Sequence, residues 1–202
     1  MIGIIKYSAG NIASVSNALD RLGSEYIVSD HLDELDKTDA ILFPGVGHAA
    51  AAMNDLKARG IDTWLKQTSK PVLGICLGMQ LFYESSEEGS SETLGLIPGE
   101  LRKFDSNKAK VPHMGWNRFE SKTDHPLLNG IDTKQFLYYV HGYYAPNNDY
   151  TIATCKYIHS FASVVAKDNY MGVQFHPEKS GRVGSLLLQN FLEMVKHSVK
   201  ES

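Results

Sequence analysis

Short apolar runs alternate with amphipathic segments through the first part of this chain. Ile2-Gly3-Ile4-Ile5 reads as a buried strand. Ile12, Val15, Ala18, Leu19 and Leu22 then recur at helical spacing, and Gly23 stops that helix. Tyr26-Ile27-Val28 and Ala40-Ile41-Leu42-Phe43 predict two more strands, the second ending at Pro44. Ala49 to Arg59 predicts a helix closed by Gly60. Val72-Leu73-Gly74-Ile75 predicts a central strand running through a sharp turn into the next helix.

The texture then changes. Glu84 to Thr93 is polar and reads as a mobile surface loop. Short strands separated by turns follow: Gly99 to Phe104, Asn117 to Ser121, Phe136 to Val140, Ile152 to Tyr157, Ala162 to Lys167 and Tyr170 to Phe175. An amphipathic helix from about Val183 to Val199 closes the chain, with Leu186, Leu187, Phe191 and Met194 on its apolar side. No internal repeat or linker interrupts this order, so residues 1–202 are expected to form one domain. The pattern predicts an α/β fold of three layers. A flavodoxin- or Rossmann-like, mostly parallel central sheet is flanked by helices, with a smaller antiparallel strand region in the second half.

Composition narrows the function classes. Hydrophobic residues make up 43% and charged residues 21% of the chain, ordinary for a globular protein. Its 20 basic residues are dispersed and outweighed by 23 acidic ones, which argues against nucleic acid as a partner. Cys76 and Cys155 are not spaced as a redox or metal pair and make no disulfide framework, which fits a reducing compartment. The chain opens directly on strand-like residues, so a cytoplasmic location without a leader is expected. Its longest apolar stretch is too short to span a membrane. No clustered Cys/His pattern is present, and neither a metal nor another cofactor is expected. His31, His125, His159 and His197 read as surface residues, and His48 as a cap of the following helix. Tyr138, Tyr139, Tyr143 and Tyr144 read as core and interface packing.

The candidate chemistry lies in two segments. In Gly74-Ile75-Cys76-Leu77-Gly78-Met79-Gln80, a cysteine flanked by glycines sits between a strand and a helix, the setting of a nucleophile elbow. The free N–H groups of a following helix favour thiolate. In His176-Pro177-Glu178, a base and a carboxylate stand two residues apart, and residues at that spacing in an extended chain face one side. Cys76 as nucleophile, His176 as base and Glu178 as its orienting acid satisfy the logic of a catalytic triad. Leu77, directly after the nucleophile, places a backbone N–H for an oxyanion.

With Val173-Gln174-Phe175 ahead of the His-Pro-Glu and Pro44-Gly45-Val46-Gly47 upstream, these motifs resemble the class I, triad-bearing glutamine amidotransferases. Tyr7-Ser8-Ala9-Gly10-Asn11, Pro112-His113-Met114-Gly115-Trp116-Asn117 and Lys179-Ser180-Gly181 narrow the resemblance to the glutaminases of histidine biosynthesis. It runs from about Ile2 to Phe191. It implies a glutaminase that forms a thioester on Cys76, with the Val46 amide as second oxyanion donor. It implies substrate contacts from Gly45, Gly47 and Gln80 and from the backbone around His141, Gly142 and Tyr143. Many relatives carry a hydroxyl residue at the place of Gly142.

The resemblance also implies a partner: a (β/α)8-barrel cyclase that receives the ammonia in a heterodimer and makes imidazole glycerol phosphate and an aminoimidazole carboxamide ribotide. Gly10, Asn11, Trp116 and Asn117 are the candidate partner contacts. Asn11 and Cys76 each follow a strand of the parallel sheet, so both fall at carboxyl ends, where crevices form. Trp116 is the kind of aromatic that anchors interfaces. Lys6-Tyr7 stands where relatives often carry an acidic residue, which leaves open a paralogous glutaminase feeding a surface-sugar amidation. A cysteine peptidase or chaperone-like protein on a similar elbow is the reading from another class, and Gln80 and Glu178 argue against it.

Overall fold

The computed structural model describes residues 1–200, and the alternation read from the sequence sets the order of its first half. β1 (Ile2–Ile5), α1 (Ile12–Arg21), β2 (Tyr26–Ser29), α2 (Leu32–Leu35), β3 (Ala40–Gly45), α3 (Ala49–Ala58), α4 (Ile61–Gln67), β4 (Val72–Cys76) and α5 (Leu77–Gln80) follow one another. β5 (Ser85–Ser86), β6 (Ser91–Glu92), β7 (Glu100–Lys103), β8 (His113–Lys122), β9 (Phe136–His141), β10 (Tyr143–Tyr144), β11 (Thr151–Lys156), β12 (Ser160–Lys167), β13 (Tyr170–Val173) and α6 (Gly181–Lys200) complete the chain. Gly60 follows the C-cap of α3 and closes that helix, as expected. It turns the chain with φ +69° and caps a further helix, α4.

The main sheet has nine strands in the order β2-β1-β3-β4-β13-β12-β11-β8-β9. β2, β1, β3, β4 and β13 run parallel. β12, β11, β8 and β9 extend the same sheet with antiparallel pairings. A second, four-stranded sheet has the order β10-β7-β5-β6.

Strand alternation divides the core into two layers. Ile2, Ile4, Leu42, Leu73 and Val173 face α1 and α6 through Val15, Leu19, Leu187 and Phe191. Ile5, Ile41, Phe43 and Val72 face the other way, onto Met53 and Leu56 of α3 and Leu65 of α4. Burying large side chains of this kind contributes roughly 1.5–3 kcal/mol each. Among the described residues no helix is long and apolar enough to cross a membrane.

Glu84–Thr93, expected as a mobile loop, is an ordered hairpin. β5 pairs with both β6 and β7, and the Glu88 carboxylate accepts from the Ala49 N–H at 2.7 Å, closing the start of α3. Parallel register does the rest of the positioning. Gly45 lies opposite Cys76, and Val173 lies opposite Ile75. The segments following β3, β4 and β13 therefore meet at one edge of the sheet.

Candidate active site

Cys76 ends β4 with φ +54° and ψ −108°. A non-glycine residue in such a conformation costs on the order of 1–3 kcal/mol and is held by its surroundings. The glycines beside it are dictated by space. A Cβ on Gly78 would lie 1.8 Å from the Phe43 carbonyl oxygen, and one on Gly74 would lie 2.7 Å from the backbone of Gly78 and Met79. The one-turn helix α5 thus packs directly on β3 and β4, which forces the turn and holds the thiol where it is. Cys76 is 6% exposed.

The segment after β13 brings His176 and Glu178 to this point. His176 Nδ1 lies 2.8 Å from Glu178 Oε1, and both side chains are almost wholly buried. The same carboxylate oxygen accepts from Asn11 Nδ2 at 3.4 Å. His176 Nε2 is buried without a hydrogen bond of standard geometry, on the side where Cys76 interacts with it. Burial pulls the imidazole toward neutrality. The hydrogen bonds and charges of Cys76 and Glu178 outweigh that and raise its pKa to about 10. The arrangement favours imidazolium beside the Cys76 sulfur, with one carboxylate holding the ring.

Behind the thiol runs a buried amide chain. Gln174 Nε2 lies 3.7 Å from Cys76 Sγ, while Gln174 Oε1 accepts from Gln80 Nε2 at 2.9 Å. Gln80 Nε2 also donates to the Tyr143 carbonyl at 3.0 Å. The amide protons of Gln80, expected to reach substrate, are instead tied to the protein wall. The thiol itself lies 3.8 Å from the Val140 carbonyl.

Cys76 and His176 open on a cavity of about 180 Å³, also lined by Val46, Gly47, Leu77, Gln80, Glu88, Val140, His141, Gly142 and Tyr143. Larger hollows lie elsewhere, between Leu22 and Val195 and beside Arg182, but neither contains the thiol. Glu88 is the acidic residue in the lining, and the sequence did not single it out. Gly45 lies behind the wall, where a Cβ would come within 2.4 Å of the Tyr7 hydroxyl. That hydroxyl is buried and unpaired, and burial with the nearby charges of Cys76 and Asp55 pushes the phenol far up. A Cβ on Gly142 meets only Val111, at 3.7 Å, so the residue is small without being cramped.

The Val46 N–H, expected as an oxyanion donor, donates to the Ala9 carbonyl at 2.6 Å. In this conformation it is engaged away from the thiol, because the chain after β3 lies against the loop after β1. Gly47 carries φ +104°, a backbone state open to glycine. Asn117, expected at a partner surface, is half-buried, and its amide donates to the Lys156 carbonyl at 2.9 Å.

Gly10 closes a turn onto the Tyr7 carbonyl, beside Asn11. Trp116 stands out from the sheet at 57% exposure, with Met114 and Phe136 also exposed. Its ring meets Tyr138 edge-on at 5.8 Å. Tyr139 and Tyr144 are buried packing residues. His48 Nδ1 accepts from the Ala50 N–H as a cap, and His31 and His197 are exposed. His125 and His159 are not surface residues as expected: His125 caps a 3-10 turn, and His159 packs on Phe104 and Tyr144. Among the described residues no group of three His, Cys, Asp or Glu side chains is placed to hold a metal ion.

The profile of the family described as "Glutamine amidotransferase class-I" matches residues 4–195. The chain is 45% identical over 195 residues to "Imidazole glycerol phosphate synthase subunit HisH" of Bacteroides thetaiotaomicron, covering 96% of this chain and 99% of that one. It is 47% identical over 201 residues to the protein of the same name from Bacillus cytotoxicus, covering 97% and 96%. Among solved structures, a glutamine amidotransferase superposes with a TM-score of 0.75 at 16% identity, over 96% of this chain and 98% of that one. PurLQS from Thermotoga maritima gives 0.68 at 21% identity, over 96% and 98%. At those identities the likeness is one of fold.

Proposed function

The chain belongs to the class I glutamine amidotransferases, in the family of the HisH subunits of imidazole glycerol phosphate synthase, and on that footing we propose how its site works and whom it serves. Cys76 attacks the side-chain amide carbon of glutamine. His176 moves the proton from the thiol to the departing ammonia, and Glu178 holds the ring. Water then hydrolyses the thioester, releasing glutamate. The observation that carries this reading is a strained cysteine at 6% exposure facing a His176–Glu178 pair closed at 2.8 Å.

The remaining cavity residues fit the substrate. Glu88 offers a carboxylate to the α-ammonium of glutamine, and backbone from His141 to Tyr143 offers groups to its α-carboxylate. Leu77 gives one oxyanion donor through its N–H. Val46 gives the second once its peptide is released from Ala9. Residues 1–202 form one amidotransferase domain in this reading.

Ammonia passes to a separate (β/α)8-barrel cyclase in a cytoplasmic heterodimer of histidine biosynthesis. The exposed apolar face carrying Met114, Trp116 and Phe136 supports a partner, since such a patch is costly to leave in water. The test is Cys76→Ala. With the cyclase present, synthesis from glutamine is lost while synthesis from added ammonium salt persists. Glutamate release from Cys76→Ala at the wild-type rate would overturn the assignment of the nucleophile.

A further inference from the structure

His113 begins β8 directly opposite His141 of β9. Both are buried, at 4% and 5% exposure. His141 lines the cavity and His113 does not. The protons on this pair can be assigned from their neighbours alone. His141 Nδ1 lies 2.7 Å from the Tyr143 carbonyl oxygen. A carbonyl only accepts, so Nδ1 carries the hydrogen. The neutral ring then has its lone pair on Nε2, and His113 Nδ1, 3.1 Å away, must donate to it. That leaves the lone pair of His113 on Nε2, facing Asn117 Nδ2 at 3.3 Å. Asn117 cannot turn over. Its Oδ1 accepts from the Arg118 N–H at 2.8 Å, and its Nδ2 donates to the Lys156 carbonyl. The chain Asn117→His113→His141→Tyr143 has one arrangement of protons, fixed at both ends.

That chain ends on the carbonyl that Gln80 also reaches, and from Gln80 the amide chain leads through Gln174 to Cys76. The Tyr143 carbonyl therefore joins the cavity wall to the support of the nucleophile. The His113 ring has no freedom to rearrange, being stacked on Tyr157 at 4.2 Å and Tyr139 at 5.1 Å.

We propose that His113 is a positioning residue for glutamine, which orients His141 and through it holds the Tyr143 carbonyl and the adjoining cavity wall in register with Cys76. The proposal rests on the glutaminase reading. It separates His113 from a merely structural residue, whose loss would lower the amount of folded protein and leave the substrate constants of the remainder unchanged.

The experiment uses the chain saturated with its synthase partner and follows glutamate release. His113→Phe keeps the stacked ring and removes both nitrogens. His113→Asn places an amide N–H near the site of Nδ1 and restores the donor. The expected result is a KM for glutamine raised about tenfold in His113→Phe, from the unpaired His141 nitrogen, with kcat held within about threefold. His113→Asn recovers most of the loss. An unchanged KM in folded His113→Phe overturns the proposal. Nitrogen-15 spectra of the wild-type imidazoles test the chain even if His113→Phe does not fold. Both rings should be neutral with the proton on Nδ1 at pH 7, and a proton on either Nε2 overturns the assignment. Wild-type protein that shows this spectrum and releases no glutamate overturns the glutaminase reading instead, and the positioning role with it.

Discussion

The Val46 N–H donates to the Ala9 carbonyl at 2.6 Å, so an expected oxyanion donor is tied to the loop after the first strand. Gly45 and Gly47 flank it, and Gly47 is already at φ +104°. Releasing that N–H costs about one hydrogen bond, 0.5–1.5 kcal/mol net, a difference that a docking partner can supply. The expected outcome is hydrogen exchange at the Val46 amide that is slow in the free chain and faster when the partner and its ligand are bound. Exchange that stays equally slow in a complex releasing glutamate at full rate would show that Val46 never serves the oxyanion.

His176 and Glu178 should respond unequally to substitution. Glu178→Gln keeps an oxygen toward His176 Nδ1 and Asn11, whereas His176→Ala removes the group that moves the proton. Glu178→Gln should therefore be milder by on the order of a hundredfold in kcat, measured as glutamate release with the partner saturating. Equal losses would mean that Glu178 has a second role in holding the segment after β13.

Much of this site is legible in the sequence because its signals are local. Strand period and small residues at the elbow mark Cys76, and the His-Pro-Glu motif marks His176 and Glu178, with no knowledge of the tertiary fold. The extended chain expected to align that pair is instead a 3-10 turn over Pro177–Lys179. Glu88 is not legible. It sits in a polar stretch without periodicity, and its order comes from β5 pairing with β7 and from the Ala49 N–H. The His113–His141 pair is silent for a similar reason: two lone histidines 28 residues apart meet through sheet register. The Val46 peptide shows a third limit. Glycine neighbours signal that a peptide can rotate, but which way it points depends on Ala9, brought alongside by parallel strands. The fold class followed from alternation, yet the joining of the antiparallel strands onto the central sheet did not, since adjacency is a long-range property.

The same histidine pair gives a pH dependence of stability. Burial pulls His113 down to about 4. His141 is pulled down to about 3, mostly by burial, with the charges of His113 and His176 adding to it and the Tyr143 hydrogen bond opposing it. The groups around them are His176 and the rings of Phe104, Tyr139, Tyr157 and Phe161. Below the free imidazole value of about 6.5 the unfolded chain binds protons that the folded chain refuses. Stability is full above that pH and falls as pH drops through it, by about 1.4 kcal/mol per unit for each histidine. Urea unfolding between pH 6.5 and 4.5 should show a steeper loss for wild type than for His113→Phe. Parallel slopes would mean that His113 is protonated in the fold.

Gly142 can be tested by adding what is absent. A Cβ there meets only Val111 at 3.7 Å, and the residue has no left-handed backbone to favour glycine. Gly142→Ser should leave stability within about 0.5 kcal/mol of wild type, the range of a change that creates no clash. A hydroxyl at the cavity wall should lower the KM for glutamine. A large loss of stability would show that the wall is tighter than its contacts imply.

Trp116 offers the sharpest test of the partner surface. It lies on β8 opposite Tyr138 of the edge strand β9, exposed at 57% with Met114 and Phe136 on the same face. A buried tryptophan would support the core, and its loss would unfold the chain by about 3–5 kcal/mol. An exposed one contributes little to the fold, so Trp116→Ala should change the unfolding free energy measured in urea by no more than about 0.5 kcal/mol. Its value would come when a partner covers it, where aromatic anchors are worth about 2 kcal/mol or more. That corresponds to a Kd for the cyclase weakened about thirtyfold, since 1.4 kcal/mol is tenfold. The backbone links this face to the site. Trp116 pairs with Tyr138, whose carbonyl accepts from the His176 N–H at 2.9 Å, and Met114 pairs with Val140, whose carbonyl lies 3.8 Å from Cys76 Sγ. Stimulation of glutamate release by cyclase ligand should therefore fall along with affinity. Calorimetry for Kd and a glutamate assay at saturating partner separate the two effects. A folded Trp116→Ala with wild-type Kd and wild-type stimulation would remove this face from the interface.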